Sequence, residues 1–460
     1  MLKKLLIICN SPMPEDICEN RPAAGIRSYQ FLKACTGKYE IKCVAIEMAP
    51  VEKAFDETIV RIGKENFAQV QNVHDEFKPD LILGVNTYPS YVACGLHTEA
   101  PIWADLNGWI MAEAQAQAYK IGGDSFLPHY FEYEKRILAR ADKFSAVSHR
   151  QADAILGSLA WAGRLNNANF GTEMVCTIPN WTEDFLSDKN GVDHGALAKI
   201  PSGKFNLLWL GGYNTWVDEE LLFKGIEKAM NEIPDLHFVS TGGAISGLDD
   251  KTFARFLEMV NASRFKDRFV FLGWVKTDEI PLIYGACNVG LNIDRACVET
   301  HTGARNRINE MMKFSLPVIT TLGSEIAGEC VRVGAGIGIG RDDYMGSGKG
   351  GARGEGVALE FTGAIASAYG LWRDGGLKEM GGKGRAYIIE ECSFEKVCEP
   401  FLNWEGVRSG GASSLGSNGM VDVGISKVKA GVEYFKMNGA KKFFEKAKGK
   451  ILRKGFEIIL

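Results

Sequence analysis

Four charged side chains close together in the sequence could bind a phosphate-containing ligand. Glu299, Arg305, Arg307 and Glu310 all follow the apolar segment 288–293. Two guanidinium groups beside a helix N-terminus suit a diphosphate, because both offer donors to its charged oxygens. A glutamate one turn into that helix can accept two hydrogen bonds from a ribose diol. The alternative is a solvated helix start with two surface arginines, which is a common arrangement.

The elements around these residues predict a parallel α/β sheet. Residues 288–293 have the composition of a buried strand, and Ile308 and Met311 have helical spacing. Pro317 ends the helix, and the β-branched run 318–321 begins another strand. Such a strand–helix–strand unit belongs to a sheet that binds ligands at the carboxyl ends of its strands.

The first half of the chain has candidates at corresponding places. Gly25 and Arg27 open a helix after the first predicted strand, residues 4–9, where a small residue lets backbone N–H groups approach a ligand. Asp105 ends another predicted strand, where a catalytic or acceptor-binding carboxylate would lie. The alternatives are a tight turn with a surface arginine, and an aspartate that caps the next helix.

A glycine pair follows the first predicted strand of the second half. Gly211 and Gly212 come directly after the apolar run 205–210. Glycines between a strand and a helix suit close approach of a phosphate.

Composition limits the class of protein. A chain of 460 residues predicts two or three domains, and 46% hydrophobic with 24% charged residues is globular. The net charge of −4 gives no reason to expect nucleic-acid binding. The cysteines, and the histidines such as His97 and His129, show no metal-ligand spacing, so we expect no metal site. The apolar start of the chain is too short for a signal peptide, and no run has transmembrane length, so the sequence predicts a soluble, cytoplasmic protein.

Two glycine-rich segments do not fit nucleotide-binding motifs. Residues 334–340 lack the third glycine of the dinucleotide motif and follow a predicted helix rather than a strand. Residues 346–356 lack the upstream glycine and the Ser/Thr of a P-loop, which favours a surface insertion.

The segment from Glu310 to Pro317 and on to Ile319 resembles the glutamate-to-proline segment of family 4 glycosyltransferases, which have the GT-B fold. Glu310 matches the second of the two glutamates that this family carries seven residues apart, and Thr302 stands in place of the first. The order Glu299, Arg305, Arg307, Glu310 resembles a bacterial subset with an E…RxRxxE arrangement. The run 141–166 is similar to the same subset.

The resemblance implies two doubly wound Rossmann-like domains that face each other across a cleft. Residues 1–195 would form an acceptor-side domain, with a linker over 188–203. Residues 196–405 would bind the nucleotide sugar, and a closing helix over 394–404 would cross back to the first domain. Residues 406–460 would form a Gly/Ser linker and a helical tail.

The resemblance also implies roles for individual residues. It implies that three residues take part in the catalytic step, namely Asp105, Arg305 and Arg307. For donor binding it implies Gly25, Arg27, Gly211, Gly212, Lys224, Gly243, Trp274, Glu299 and Glu310. Lys224 has an alternative as a surface lysine of an amphipathic helix.

The implied reaction moves a sugar from a nucleotide-diphosphate sugar to a saccharide or lipid-linked acceptor, with retained configuration and without metal or cofactor. Three alternatives remain open: a sugar-nucleotide epimerase of the same fold, a nicotinamide-dependent oxidoreductase, and a catalytically silent assembly protein at the membrane.

The tail, residues 427–460, has 10 Lys/Arg against 3 Glu. Such a basic amphipathic helix can lie on the inner membrane surface or dock on the acidic body of the protein.

Overall fold

The protein contains two parallel β-sheets, each covered by helices on both faces. A computed structural model describes residues 2–16, 23–64, 66–181, 195–245, 249–276, 279–340 and 352–408. One sheet has seven strands and the other has six. The predicted pair of doubly wound α/β domains is therefore confirmed.

The first sheet has the strand order β3-β2-β1-β4-β5-β6-β7. Its strands are β1 Lys4–Ser11, β2 Glu40–Glu47, β3 Val60–Ile62, β4 Leu81–Val85, β5 Ile102–Leu106, β6 Lys143–Ala146 and β7 Val175–Thr177. Its helices are α1 Ala23–Cys35, α2 Phe67–Phe77, α3 Thr87–Ala93, α4 Ile110–Ile121, α5 Leu127–Arg140 and α6 His149–Trp161.

The second sheet repeats this order as β10-β9-β8-β11-β12-β13. Its strands are β8 Phe205–Trp209, β9 Leu236–Thr241, β10 Phe269–Gly273, β11 Val289–Asn292, β12 Val318–Thr321 and β13 Gly336–Ile339. Its helices are α7 Glu219–Glu232, α8 Lys251–Ala262, α9 Ile280–Ala286, α10 Val298–Thr302, α11 Asn306–Lys313, α12 Glu325–Arg332, α13 Ala352–Asp374 and α14 Leu377–Glu391. Two short helices follow, α15 Phe394–Val397 and α16 Glu399–Leu402.

The central strands are apolar on both faces because both faces are covered. In β1, Leu5 and Ile7 join one core cluster, whereas Leu6 and Ile8 join another. Successive side chains of a strand point to opposite faces, so β1 contributes to both layers of the first domain.

The strand order changes direction between β1 and β4 in the first sheet, and between β8 and β11 in the second. In open parallel sheets, ligands bind beyond the carboxyl ends of the strands at such a switch point. Gly211 and Gly212 follow β8, and Asp294 follows β11. The fold therefore places the predicted glycine pair and the start of the charged loop side by side.

The C-terminal helices complete the first domain. Phe401 of α16 packs edge-on against Trp103 of β5, with 5.1 Å between ring centroids, and lies 5.9 Å from Phe31. Trp404 lies 5.3 Å from Trp103. The segment predicted as one closing helix is two short helices that lie on the first sheet.

Several sequence expectations fall outside the described residues. These are residues 188–194 of the linker, 346–351 of the glycine-rich insertion, and the tail from 409 to 460, which includes the basic segment. Within the described ranges, none of the helices has the length and hydrophobicity that a bilayer crossing requires.

Candidate active site

The guanidinium of Arg307 lies at the switch point of the second sheet. Its Cζ lies 4.0 Å from the ring centroid of Trp209, the last residue of β8, and its Nη2 donates to the Gly212 carbonyl at 3.2 Å. Nη1 is buried and has no partner among the described residues. Burial lowers the pKa of Arg307 to about 10, so the group stays charged at neutral pH. Arg307 therefore keeps one positively charged donor that has no partner within the described part of the chain.

Arg305 has no such free donor. Its Nε donates to Asp294 at 2.5 Å, and its Nη1 and Nη2 form a bidentate pair with Glu299 at 3.0 and 2.7 Å. The remaining N–H groups donate to the Ala304 carbonyl and the Thr300 hydroxyl. Burial opposes the charge, but the two carboxylates outweigh it and raise the pKa of Arg305. This saturated pair favours a structural role for Arg305 and Glu299, in place of the predicted diphosphate and donor contacts.

Glu310 lies one turn after Arg307 on α11, as the sequence predicts. Its Oε2 is buried without a hydrogen-bond partner in the described part of the chain, and so is the hydroxyl of Tyr284. Burial raises the pKa of Glu310 to about 7, and Lys313 opposes this shift. A carboxylate with an unpartnered oxygen, one helical turn from a guanidinium with one unpartnered nitrogen, fits a ribose beside a diphosphate.

The turn after β8 requires its two glycines. Gly211 has φ +94°, a conformation that favours glycine. A Cβ on Gly212 would lie 2.6 Å from Cγ1 of Ile245 and 3.3 Å from the ring of Trp274. Trp274, which is exposed, thus stands beside the glycine turn that Arg307 contacts.

Gly243 contributes to the same region through its backbone. Its carbonyl accepts a hydrogen bond from the N–H of Tyr213 at 3.0 Å. The ring of Tyr213 stacks on Trp209, and its hydroxyl pairs with Ser240 at 2.8 Å. Gly243 therefore supports Tyr213, which in turn packs on the Trp209 ring that Arg307 contacts.

In the first domain, Arg27 and Asp105 are buried partners of each other. Arg27 Nη2 lies 2.8 Å from Asp105 Oδ1, and both side chains are almost completely buried. Arg27 also donates to the Ile178 carbonyl at 2.8 Å and contacts Asn180. Asp105 accepts a further bond from Ser145. This arrangement favours a role in fixing the end of the first domain, in place of donor binding by Arg27 and catalysis by Asp105.

The surroundings of two further candidates, Gly25 and Lys224, favour structural roles. A Cβ on Gly25 would lie 1.8 Å from the Pro12 carbonyl oxygen, so this glycine lets α1 pack against the loop after β1. Lys224 is exposed on α7 and pairs with Glu220 one turn away, at 3.4 Å. These surroundings favour the alternative that Lys224 is a surface lysine of an amphipathic helix.

The two domains meet through directed polar contacts. The carboxylate of Glu325, at the start of α12, accepts the N–H groups of His149 and Arg150 at 3.0 and 2.7 Å. Arg150 also donates to the Gly323 carbonyl at 2.7 Å. Next to Glu310, the side chain of Asn309 donates to the Asn180 carbonyl at 2.9 Å. The helix that carries Arg307 and Glu310 is thus attached to the end of the first domain.

The fold is similar to that of several glycosyltransferases. Sucrose-phosphate synthase from Thermosynechococcus elongatus is 16% identical, with a TM-score of 0.62 over 87% of this chain and 97% of that one. HepE of Anabaena, in complex with UDP-glucose, is 14% identical, with a TM-score of 0.59 over 86% and 98%. WaaG, a glycosyltransferase involved in lipopolysaccharide biosynthesis, is 12% identical, with a TM-score of 0.58 over 87% and 98%. The chain has the GT-B fold. No family model matches the sequence, and no curated protein matches it.

The sequence analysis did not indicate Glu113, whose carboxyl group lies near Glu299 of the second domain. Glu113 lies in the first turn of α4, and its Oε1 occupies the space beside Gly108, where a Cβ would be 2.4 Å away. Burial, and then the charge of Glu299, raise the pKa of Glu113 to about 8. The sequence does contain a feature that could have marked this residue, because Glu113 is the one charged residue in the stretch 107–119.

Proposed function

We propose that the protein transfers a glycosyl unit from a nucleotide-diphosphate sugar to a saccharide or lipid-linked acceptor. The observation that carries this proposal is the pairing on α11 of an unpartnered Arg307 donor with an unpartnered Glu310 oxygen. This pair lies beside the Gly211–Gly212 turn, in a fold shared with HepE, whose structure contains UDP-glucose.

The chemical difficulty is departure of a diphosphate from the anomeric carbon. Negative charge develops on the leaving oxygen, and fixed donors that face it lower the barrier. Arg307 would supply a charged donor, and the Gly211–Gly212 turn would let the backbone approach the phosphates. One such donor contributes about 3 kcal/mol to transition-state stabilisation.

Glu310 would hold the ribose of the donor. Its pKa of about 7 reflects burial without a hydrogen-bond partner among the described residues. Two ribose hydroxyl groups would donate to the carboxylate and favour its charged form, so that the nucleotide and Glu310 stabilise each other. Trp274 and Gly243 border the region where the base would lie.

The finer features of the reaction follow the family resemblance. We propose retention of the anomeric configuration, no requirement for metal or cofactor, and a hexosyl donor. Transfer would occur at the cytoplasmic side, in the synthesis of a cell-surface polysaccharide or glycan. Contact of the tail, residues 427–460, with the membrane would bring a lipid-linked acceptor to the cleft.

The test is a thermal-shift screen with UDP, GDP and their sugar conjugates, followed by calorimetry for the nucleotide that stabilises the protein. One base should raise the melting temperature through ligand binding to the folded state. Glu310→Ala should abolish that shift while the free protein keeps a cooperative unfolding transition. Stabilisation of wild type and Glu310→Ala to the same extent would remove Glu310 from the site.

Product analysis then separates the transferase from its alternatives. An epimerase of this fold would convert the donor with no acceptor present. A silent assembly protein would bind neither UDP nor GDP sugars.

A further inference from the structure

Tyr284 packs against the helix that carries Arg307 and Glu310. It belongs to α9, and its ring stacks on that of Phe314, with 4.6 Å between the ring centroids and 13° between the ring planes. Phe314 directly follows α11 and donates its N–H to the Glu310 carbonyl at 3.1 Å. Residues four positions apart lie on the same face of a helix. The stack therefore places Tyr284 on the face of α11 that carries Glu310.

The hydroxyl group of Tyr284 is buried and has no hydrogen-bond partner in the described part of the chain. The charges that act on this hydroxyl are those of Glu310 and Arg307. Glu310 Oε2 and Arg307 Nη1 are likewise buried, and neither has a hydrogen-bond partner among the described residues. Three polar atoms from α9 and α11 therefore lie in one region with their hydrogen-bonding capacity unused by these residues.

Tyr284 and Glu310 together match one kind of ligand group. Burial raises the pKa of Tyr284, so its hydroxyl keeps the proton at neutral pH and can donate it in a hydrogen bond. The Glu310 carboxylate can only accept. A donor beside an acceptor suits a ligand hydroxyl group, which accepts through its oxygen and donates its hydrogen. An ionised phosphate oxygen only accepts, so it would satisfy Tyr284 but would be repelled by Glu310.

We propose that Tyr284 and Glu310 share one hydroxyl group of the donor ribose, and that Tyr284 thereby selects ribonucleotides over nucleotides that lack this group. The inference rests on the proposed glycosyl transfer, in which Glu310 holds the ribose. The shared hydroxyl donates to Oε2 of Glu310 and accepts from the Tyr284 hydroxyl. The other hydroxyl of the diol donates to Oε1. Arg307, one turn earlier, meets the diphosphate, so a single ligand gives a partner to all three atoms.

Calorimetry with the full chain tests this assignment. The probes are UDP and GDP, each compared with its 2′-deoxy and 3′-deoxy analogues. In the wild type, one of the two analogues should bind about 10²-fold more weakly than the ribonucleotide, because the carboxylate loses a hydrogen bond and Tyr284 loses its acceptor. In Tyr284→Phe, affinity for the ribonucleotide should fall about three- to tenfold, whereas affinity for that analogue should stay the same. The discrimination between the two nucleotides should shrink by the same factor.

A purely structural role of Tyr284 would give a different pattern. If the hydroxyl only supported α11, phenylalanine would weaken the binding of the ribonucleotide and of both analogues equally. Because the hydroxyl has no partner among the described residues, Tyr284→Phe should unfold at the same urea concentration as the wild type or at a higher one. Tyr387→Phe is the matched control, since Tyr387 packs against the same core cluster from α14. It should leave the discrimination unchanged.

Three results would overturn the assignment. The first is equal affinity of the wild type for a ribonucleotide and both of its deoxy analogues. The second is the same discrimination in Tyr284→Phe as in the wild type. The third is a clearly lower urea midpoint for Tyr284→Phe, which would give the hydroxyl a structural partner. Failure of the wild type to bind either UDP or GDP would overturn the proposed function, and this assignment with it.

Discussion

Arg305 and Arg307 are separated by one residue, yet their guanidinium groups have opposite surroundings. Arg305 is enclosed by Asp294 and Glu299, whereas Arg307 lies on the ring of Trp209 with Nη1 unpartnered within the described residues. The two arginines should therefore fail in different ways when they are replaced, one in stability and the other in ligand binding.

Replacement of Arg307 by alanine should weaken nucleotide binding with little loss of stability. The variant loses a charged donor to the diphosphate, and a hydrogen bond to a charged group contributes about 1.5–3 kcal/mol, so affinity for the nucleotide should fall about 10- to 10²-fold. Calorimetry with the nucleotide identified by the screen measures this change. Arg332→Ala, at an exposed arginine of α12, is the control and should bind normally. Equal affinity in Arg307→Ala and wild type would contradict the assignment.

Replacement of Arg305 by methionine should destabilise the fold. The change leaves the carboxylates of Asp294 and Glu299 buried without their cation, and breaking such a pair costs about 3–5 kcal/mol. Urea unfolding measures the loss. The two unpaired carboxylates are what make the variant unstable. Adding Glu299→Gln to Arg305→Met should therefore recover part of the lost free energy of unfolding. A single variant as stable as the wild type would show that the pair is not structural.

Stability should depend on pH through Glu310. The folded protein raises the pKa of this group from 4.5 to about 7, so the folded state holds the proton more tightly than the unfolded chain. The free energy of unfolding therefore falls as the pH rises from about 4.5 to about 7, by up to about 3 kcal/mol. Glu310→Gln does not titrate and should gain stability relative to wild type between pH 5 and pH 8. Urea unfolding of the wild type and of Glu310→Gln at pH 5 and pH 8 measures this difference. If the free energy of unfolding changed equally with pH in both proteins, the prediction would be contradicted.

Loss of the Glu325 carboxylate should loosen the contact between the domains. In Glu325→Gln, one of the two N–H groups at the start of α6 loses its acceptor, and the helix dipole loses a negative charge. We expect a larger radius of gyration by small-angle scattering in the absence of nucleotide. Glu329→Gln, one turn later and exposed, should leave the radius unchanged. Superimposable scattering curves for the two variants would rule out this role for Glu325.

Apolar runs and turn residues predicted most of the fold, because a strand covered on both faces must be apolar throughout. Two strands escaped prediction. β13 lies in the glycine-rich stretch that we interpreted only as a failed dinucleotide motif. A Cβ on Gly336 would lie 2.3 Å from the Val318 carbonyl oxygen and 2.9 Å from Cys330 Sγ, so close packing selects glycine there. β3 has three residues, too few for a periodic signal.

The candidate site was predictable in its location but not in its assignments. The sequence placed Glu299, Arg305, Arg307 and Glu310 at one loop and helix. Which arginine is free depends on Asp294, which the fold brings to Arg305 and which had no motif to mark it. In the same way, Arg27 and Asp105 are far apart in the sequence, and only the tertiary fold brings them together as an ion pair.

The position of Phe401 and Trp404 on Trp103 affects how the protein can be divided. A fragment that stops at residue 181 would contain every strand of the first sheet but would leave the indole of Trp103 without its covering rings. Such a fragment should aggregate, and a synthetic peptide spanning 392–408 should keep it in solution. Autonomous expression of the first domain therefore needs a circular permutation that joins this C-terminal segment to Leu2.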